Sequence, residues 1–294
     1  MINRISKMTA LLAALLILST AFSYAIEKEK KVLIIGIDGV RPDALLAAQT
    51  PHMDALWQNG AYSFQAKTDK ISSSGPCWTA MLTGVWHLKH KVLSNDYENP
   101  DLEHYPHFFH RIQEEKPGLL CYSVANWDPL HKILQEGDAV LSTTATNDVN
   151  VTKKVVALLE QTELDVMFVQ LDEVDGAGHR HDYSVDSPKY LKAIERSDRQ
   201  VGQMVDALKR RPDYYSEDWL ILVSTDHGGS NFGHGKDIPD HTTIFYLAWG
   251  PSVAMGEIDK EVGVVDVAVS AMKHLGIPAK ESWYLDGQVS GLIE

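Results

Sequence analysis

The chain has 294 residues, of which 44% are hydrophobic and 23% charged, with 20 Gly, 12 Pro and 2 Cys. This composition is typical of a globular domain and excludes collagen-like, low-complexity and disulfide-scaffold proteins. Lys and Arg number 27 against 40 Asp and Glu, and the charge of −13 is the wrong sign for a protein that binds nucleic-acid duplexes through a basic surface.

The first 25 residues have the pattern of a cleaved export signal. Arg4 and Lys7 form a short positive stretch, an apolar run covers 8–18, and Ser23-Tyr24-Ala25 offers the small residues that a signal peptidase recognises. An uncleaved membrane anchor is the alternative, but this run is shorter than the roughly 20 residues that span a bilayer. We predict a signal peptide over 1–25, no stable membrane insertion and an exported protein, periplasmic or secreted.

Apolar runs alternate with helix-like stretches along the rest of the chain. Continuous apolar runs, without the polar alternation of half-buried strands, are typical of parallel strands covered on both faces. Strands are predicted at 31–38, 120–125, 165–171, 219–224 and 244–249, and helices at 51–59, 106–115, 147–161, 189–210 and 264–275. The pattern predicts an α/β fold with a largely parallel central sheet and helices on both faces. No linker divides it, so we predict a single domain over 26–294.

Acidic residues follow three of the predicted strands. Asp38 ends the first, Asp172 and then Asp175 follow the third, and Asp226 comes shortly after the fourth. In open parallel sheets, ligands bind beyond the carboxyl ends of the strands. Carboxylates that meet there raise one another's pKa unless a cation lies among them.

Histidines near these acids indicate the kind of cation. His179 stands four residues after Asp175, His227 follows Asp226, and His234 lies between two glycines. Imidazole together with carboxylate suits zinc or another transition metal, whereas an all-oxygen set suits calcium or magnesium. Six such ligands exceed one tetrahedral site, so we expect two metal ions.

These residues lie in segments that resemble the alkaline phosphatase superfamily, and within it the type I phosphodiesterase/nucleotide pyrophosphatase family. The resemblance covers nearly all of the chain after residue 25. Its motifs are IDGVRPD at 37–43, SGPCWTAMLTG at 74–84, HKVLSN at 90–95, DGAGH at 175–179, DHG at 226–228 and GHG at 233–235. The family's fold is alkaline phosphatase-like, and the length of this chain leaves room for only a small cap or none.

The resemblance implies two zinc ions per chain and a hydrolytic site. One zinc would be held by Asp38, Asp226, His227 and the hydroxyl of Ser74, and the other by Asp175, His179 and His234. Coordination to a cation favours the alkoxide of a serine, so Ser74 is expected to be the nucleophile that forms a phosphoserine intermediate. Asn95 is expected to donate to a phosphoryl oxygen, helped by the backbone N–H groups after Ser74.

Two assignments have competitors. Ser72 and Ser73 adjoin Ser74, which is selected by its spacing to the proline and glycine of the same motif. His241 competes with His234 as a zinc ligand, although the Gly-His-Gly sequence fits the closer relatives better. The remaining histidines, among them His87 and His107, are expected to be surface or capping residues.

The implied activity is hydrolysis of a small anionic phosphate ester, most simply a diester. Aromatic side chains suit a second ester group, and the candidates are Trp78, Trp86, Tyr97 and Trp127. A phosphomonoesterase would need extra cationic side chains, and no Arg or Lys of the motifs clearly takes that part, since Arg41 of the opening motif could as well cap a helix. A sulfatase has an Arg where Trp78 stands.

Other readings stay open. A catalytically silent metal-binding relative is a further alternative, which the retained Ser74 disfavours. The sequence leaves open whether Cys77 and Cys121 pair. It does not define the oligomeric state.

Overall fold

The protein is described here by a computed structural model, which covers residues 28–161 and 163–293. The signal peptide predicted over 1–25 lies outside these residues and remains a prediction. Among the residues described, no helix is both long and apolar enough to cross a membrane.

Eight strands form one mixed sheet in the order β4-β3-β5-β1-β6-β7-β2-β8. The strands are β1 (Glu29–Ile37), β2 (Ala61–Lys67), β3 (Cys121–Ala125), β4 (Leu141–Thr144), β5 (Val166–Leu171), β6 (Glu217–Ser224), β7 (Thr243–Trp249) and β8 (Gly256–Glu257). All neighbouring pairs are parallel except those that β7 makes with β6 and β2. The predicted largely parallel sheet is therefore confirmed.

Ten α-helices surround the sheet within the described ranges. They are α1 (Pro42–Ala47), α2 (Pro51–Gln58), α3 (Ser74–Thr83), α4 (His87–His90), α5 (Phe108–Glu115), α6 (Asp148–Gln161), α7 (Glu173–His181), α8 (Pro188–Lys209), α9 (Pro239–Thr242) and α10 (Asp266–His274). The five predicted helices correspond to α2, α5, α6, α8 and α10, with ends that differ by at most two residues. His107 caps α5, since its side chain accepts a hydrogen bond from the N–H of Phe109.

The sheet separates two hydrophobic cores. Val32 and Ile34 of β1 point into one core, and Leu33, Ile35 and Ile37 point into the other. Both sets are fully buried, which explains why this strand is a continuous apolar run. The arrangement confirms helices on both faces of the sheet.

The three central strands end at the same level. Ile37 of β1 pairs with Leu171 of β5, and Gly36 pairs with Ser224 of β6. The acidic residues that follow these strands therefore share one edge of the sheet.

The two cysteines lie on different elements and do not form a disulfide. Cys77 lies on α3 and Cys121 on β3, and both are buried free thiols. The question that the sequence left open is answered in favour of unpaired cysteines.

Candidate metal centre

Asp38, Asp226 and His227 form a cluster, called here the buried cluster, at the carboxyl edge of the sheet. His227 Nε2 lies 3.5 Å from Asp38 Oδ1 and 3.4 Å from Asp226 Oδ2. Ser74 Oγ lies 3.4 Å from the same nitrogen. The three cluster residues are at most 1% exposed and Ser74 is 7% exposed, so four potential ligand atoms converge in a buried region.

Each carboxylate of the buried cluster is held by one oxygen and leaves the other free. Asp38 Oδ2 accepts hydrogen bonds from Trp78 Nε1 at 3.1 Å and Gln170 Nε2 at 3.2 Å, and Asp226 Oδ1 accepts one from Gly39 N at 3.2 Å. Asp38 Oδ1 and Asp226 Oδ2 are buried and have no hydrogen-bond partner among the described residues. Two unpartnered carboxylate oxygens at one point are costly unless a cation binds them.

The electrostatics of the buried cluster lead to the same conclusion. Burial, reinforced by repulsion from Asp226, raises the pKa of Asp38 well above its ordinary value. Burial, reinforced by Asp175, raises the pKa of Asp226 to about 8. Burial lowers the pKa of His227. Without a cation, burial thus favours the neutral forms of these groups.

The donor set fits a zinc ion. Zinc binds carboxylate oxygen and imidazole nitrogen at roughly 2.0–2.2 Å in tetrahedral sites, which places neighbouring ligand atoms about 3.3–3.6 Å apart. The contacts of His227 Nε2 with Asp38, Asp226 and Ser74 at 3.4–3.5 Å agree with this spacing.

Asp175, His179 and His234 form a second cluster, called here the open cluster. Asp175 and His179 lie one turn apart on α7, and His234 comes from the loop after β6. His179 Nε2 lies 3.3 Å from Asp175 Oδ2 and 3.2 Å from His234 Nε2. The His179 side chain is 44% exposed, so this cluster faces solvent, in contrast to the buried cluster.

The three histidines of the two clusters share one hydrogen-bonding arrangement. In each, Nδ1 lies within hydrogen-bond distance of a backbone carbonyl oxygen. The pairs are His227 with Gly228 at 2.8 Å, His179 with Phe232 at 2.9 Å and His234 with Ser72 at 2.9 Å. A carbonyl only accepts, so Nδ1 carries the hydrogen and Nε2 of the neutral ring presents its lone pair. This orientation is typical of metal-ligating histidines.

The two clusters adjoin each other. The rings of His227 and His234 stack with centroids 3.8 Å apart. A hydrogen bond from His179 to Asp175 contributes most to raising the pKa of His179, to about 9. Burial, followed by His227, lowers the pKa of His234 to about 4. Burial alone would raise the pKa of Asp175, but its histidine neighbours bring it to about 2.

His241 lies outside both clusters. Its Nδ1 accepts a hydrogen bond from the N–H of Lys236 at 3.1 Å, and its Nε2 lies 2.7 Å from Ser230 Oγ. Both ring nitrogens are therefore engaged within the loop after β6. Of the two competing histidines, the structure groups His234 with Asp175.

Ser74 is the first residue of α3, and Asn95 lies beside it. Asn95 Oδ1 accepts a hydrogen bond from the N–H of Gly75 at 2.7 Å, which leaves the amide Nδ2 as a donor. A Cβ atom at residue 75 would lie 2.6 Å from the carbonyl oxygen of Ser94, so only glycine permits this approach. The expectation that the N–H groups after Ser74 are free for a phosphoryl oxygen is wrong for Gly75, because Asn95 occupies it.

Gln170 supports the centre, and the sequence analysis missed it. It is fully buried, and its Nε2 donates to Asp38 Oδ2 and Asp172 Oδ1, each at 3.2 Å. Its Oε1 accepts from the N–H groups of Asn126 at 3.0 Å and Trp127 at 2.9 Å. The available signal was a glutamine inside an otherwise apolar strand.

Asp148 and Tyr183 hold the helix of the open cluster. The buried carboxylate of Asp148 accepts from the N–H groups of Asp172 and Glu173 at 2.8 and 2.9 Å, where α7 begins. Burial raises the pKa of Asp148 to about 6. The hydroxyl of Tyr183 donates to Asp175 Oδ1. Neither residue lies in a motif that the sequence analysis identified.

The four aromatic candidates for a substrate wall separate in the structure. Trp78 is fully buried and packs against Phe168, so the prediction that it lines the substrate site is wrong. Trp86 lines a different cavity, described below. Tyr97 and Trp127 have ring centroids 6.4 Å apart. Tyr97 lies two residues after Asn95, and the backbone N–H of Trp127 donates to Gln170 Oε1.

A largely parallel sheet with two carboxylate–histidine clusters at its carboxyl edge is typical of an alkaline phosphatase-like metalloenzyme. A family model described as "Metalloenzyme superfamily" matches residues 30–279. The chain belongs to this superfamily, and the predicted resemblance is confirmed.

Two human proteins show the relationship at the level of sequence. Ectonucleotide pyrophosphatase/phosphodiesterase family member 7 is 24% identical over 68% of this chain and 48% of its own length. Family member 5 is 22% identical over 75% of this chain and 49% of its own length. The chain thus spans about half the length of these relatives.

Solved structures show the same fold. Murine ectonucleotide pyrophosphatase/phosphodiesterase 5, in an inactive form in complex with AMP, superposes with a TM-score of 0.70 at 15% identity, over 86% of this chain and 96% of that one. A 2-O GAG sulfatase superposes with a TM-score of 0.71 at 15% identity, over 90% and 73%. The fold is therefore common to phosphodiesterase-type and sulfatase-type relatives.

Proposed function

We propose that this protein is a two-zinc hydrolase of phosphoric diesters that acts through Ser74. One observation carries the proposal. Two unpartnered carboxylate oxygens and the Ser74 hydroxyl all lie within 3.5 Å of His227 Nε2, which presents its lone pair to the same point. The sequence relationship to the ectonucleotide pyrophosphatase/phosphodiesterases supports phosphoric-ester chemistry.

In the proposed centre, the buried cluster and Ser74 hold one zinc ion and the open cluster holds the other. When bound, the ions supply positive charge that activates oxygen nucleophiles and stabilises oxyanions. The donor types and the Nδ1–carbonyl contacts of all three histidines support zinc. The identity and number of the metal ions belong to the proposal.

The chain's own residues have distinct roles in the proposed reaction. Ser74 Oγ forms the bond to phosphorus while the bond to the leaving alcohol breaks, and water then cleaves the phosphoserine and restores the hydroxyl. Asn95 donates from Nδ2 to a non-bridging oxygen of the phosphoryl group, with Gly75 fixing the orientation of its amide. The position of Ser74 at the start of α3 adds the positive end of a helix dipole.

The charges around the centre support a diester rather than a monoester. A monoester brings an additional negative charge, which an Arg or Lys beside the site would neutralise. The carboxylates of both clusters form ion pairs only with histidines among the described residues. Arg41, the cation of the opening motif, pairs with Asp43 and Asp240 instead.

We further propose that the protein is exported, to the periplasm or the medium. The charged stretch, apolar run and small residues within 1–25 support this. The protein would then encounter its substrate, a small anionic phosphate ester, outside the cytoplasm.

A substrate panel tests the proposed activity. Purified protein is loaded with zinc and assayed on bis-p-nitrophenyl phosphate, p-nitrophenyl phosphate and p-nitrophenyl sulfate, with a chelator-treated sample as control. We expect zinc-dependent turnover with the diester preferred. Preference for the monoester would indicate a phosphomonoesterase, and preference for the sulfate a sulfatase. Absence of turnover on all three substrates would indicate a catalytically inactive metal-binding protein.

A further inference from the structure

A cavity of about 490 Å³ opens beside the segment that precedes Ser74. This volume lies within the range of small-molecule sites. Its walls come from the loop after β2, the turn between α3 and α4, and the chain that follows His234. Its lining includes Lys67, Asp69, Trp86, His87, Asp237 and Glu261, but no member of the buried or open cluster.

Asp69 and His87 form an oriented pair in this cavity. Asp69 is 2% exposed, and its Oδ1 lies 2.5 Å from His87 Nδ1 while its Oδ2 accepts from His87 N at 2.9 Å. A carboxylate only accepts, so Nδ1 carries the hydrogen that points at Asp69 and Nε2 remains available to a ligand. No described residue forms a hydrogen bond with that Nε2. His87 is therefore more than the surface or capping residue expected from the sequence.

Trp86 forms an apolar wall of the same cavity. Its indole packs on Gly263, where an added Cβ atom would lie 3.1 Å from Cζ2, and its backbone N–H donates to Asp286 Oδ2 at 2.9 Å. The ring is thus held in a defined position. A flat, rigid aromatic surface of this kind suits the apolar face of a ring-shaped ligand.

The remaining polar groups of the cavity are balanced in charge. Lys67, Lys70, Asp237 and Glu261 all line the cavity, and none of these four side chains forms an ion pair with a described residue. Lys67 Nζ donates to Thr243 Oγ1 at 2.9 Å and retains further donor capacity. The cavity therefore offers donors and acceptors side by side, and its two lysines and two acids offset one another, so neither sign of charge selects an ionic ligand.

We propose that this cavity binds a neutral sugar ring, a pyranose or furanose. The hydroxyl groups of a sugar both donate and accept, which matches lysine donors, carboxylate acceptors and His87 Nε2 in one cavity. The apolar face of the ring stacks on Trp86. A simple anion would not use the apolar surface of Trp86, and a purely apolar ligand would leave the polar groups of the cavity unpaired.

The cavity lies beside two segments of the chain that lead to the candidate centre. The loop from Lys67 leads directly into Ser74, and Asp237 stands three residues after His234, whose Nδ1 donates to the Ser72 carbonyl. A ligand in the cavity thus contacts both segments that carry residues of the candidate centre.

Binding is tested with free sugars, independently of catalysis. Saturation-transfer NMR and titration use methyl β-D-glucopyranoside and thymidine as neutral rings, with methyl β-D-glucuronide as an anionic probe and benzyl alcohol as an apolar one. We expect the two neutral probes to bind, and Trp86→Ala and His87→Gln each to weaken binding about tenfold. Matched controls are Trp57→Ala and His104→Gln; His104 also pairs with an aspartate, Asp101, but outside the cavity.

The outcomes separate the two proposals. Failure of both neutral probes to bind, tighter binding of the glucuronide or benzyl alcohol, or equal losses in the control variants would overturn the sugar site. Circular dichroism checks the fold of each variant, and His87→Gln keeps the test valid should Trp86→Ala not fold. Hydrolysis of bis-p-nitrophenyl phosphate, measured in parallel on the zinc-loaded wild type, bears on the proposed function alone.

Discussion

The buried and open clusters use similar ligands in opposite surroundings. In the buried cluster, the side chains are inaccessible to water and two carboxylate oxygens have no hydrogen-bond partner. In the open cluster, His179 is 44% exposed, and its Asp175 carboxylate is balanced by histidines and Tyr183. The difference shows that only the buried cluster depends on a cation for its electrostatic balance, whereas the open cluster forms its own ion pair.

This contrast predicts that the two clusters differ in how firmly they retain a metal ion. An ion held by the buried cluster would be shielded from solvent, so we expect it to be retained. An ion held by the open cluster would be accessible to water and chelators, so we expect it to exchange. Four predictions test the contrast, beginning with the largest effect.

Ser74→Ala is expected to reduce diester turnover by about a thousandfold or more, because it removes the only proposed nucleophile. The reaction is followed with bis-p-nitrophenyl phosphate on zinc-loaded protein. Ser73→Ala is the matched control, since Ser73 adjoins the nucleophile but its side chain makes no capping hydrogen bond. Retention of wild-type turnover in Ser74→Ala would assign the chemistry to another group.

Zinc release is expected to occur in two phases. A chromogenic chelator should remove one ion quickly, from the exposed open cluster, and the other slowly, from the buried cluster. His179→Gln should abolish the fast phase, and Asp226→Asn the slow one, each leaving about one zinc per chain by metal analysis. Release of both ions in a single phase would remove the distinction between the clusters.

Gln170→Met is expected to weaken zinc binding about tenfold, a typical effect of losing a hydrogen bond to a ligand. The substitution keeps the side-chain volume but removes the donors to Asp38 and Asp172. Zinc affinity is measured by competition with a chelating indicator. Gln200→Met provides the control, because Gln200 is also a buried glutamine but lies on α8. Equal losses in the two variants would mean that Gln170 acts only through general stability.

The pH dependence of stability is expected to change sign with zinc. In the metal-free protein, the pKa of Asp226 is raised to about 8 and that of His179 to about 9. Both groups bind protons more tightly in the folded chain than in the unfolded one, where they titrate near 3.9 and 6.5. The stability that they contribute is fully present below their unfolded pKa values and is lost as the pH rises towards their folded ones, so the loss continues from pH 7 to about 9.

Zinc requires the deprotonated ligands, so its stabilising effect should grow over the same window. Thermal melts at pH 7, 8 and 9, with and without zinc, measure both trends, which we expect to amount to a few degrees. Asp226→Asn should flatten the metal-free curve. A metal-free melting temperature that rises from pH 7 to 9 would contradict the assignment.

The prediction of the fold succeeded where burial leaves a strong local pattern. The five predicted strands are β1, β3, β5, β6 and β7, whose residues are almost all buried. β4 and β8 escaped prediction because they are short strands at the two edges of the sheet, with exposed or half-exposed residues. β2 escaped because its half-buried sequence carries an irregularity where it pairs with β7.

The candidate centre was predictable where ligands follow strand ends. Asp38, Asp226 and His227 could be placed together because neighbouring parallel strands end at one edge. Gln170 could not be connected to Asp38, since 132 residues separate them. His234 and His241 follow the same strand, and only their contacts distinguish them.

The sequence by itself determined the class of fold, the edge at which the acids meet and the kinds of ligand atoms available, because these follow from local apolar patterns and residue types. Only the tertiary structure decided which atoms stay free to bind a cation. Asp38 and Asp226 each have two equivalent oxygens in the sequence. Trp78 and Gln170 donate to one oxygen of Asp38, and Gly39 donates to one oxygen of Asp226. Each donor is distant along the chain from the acid that it binds, so only the folded chain leaves the second oxygen of each acid unpartnered.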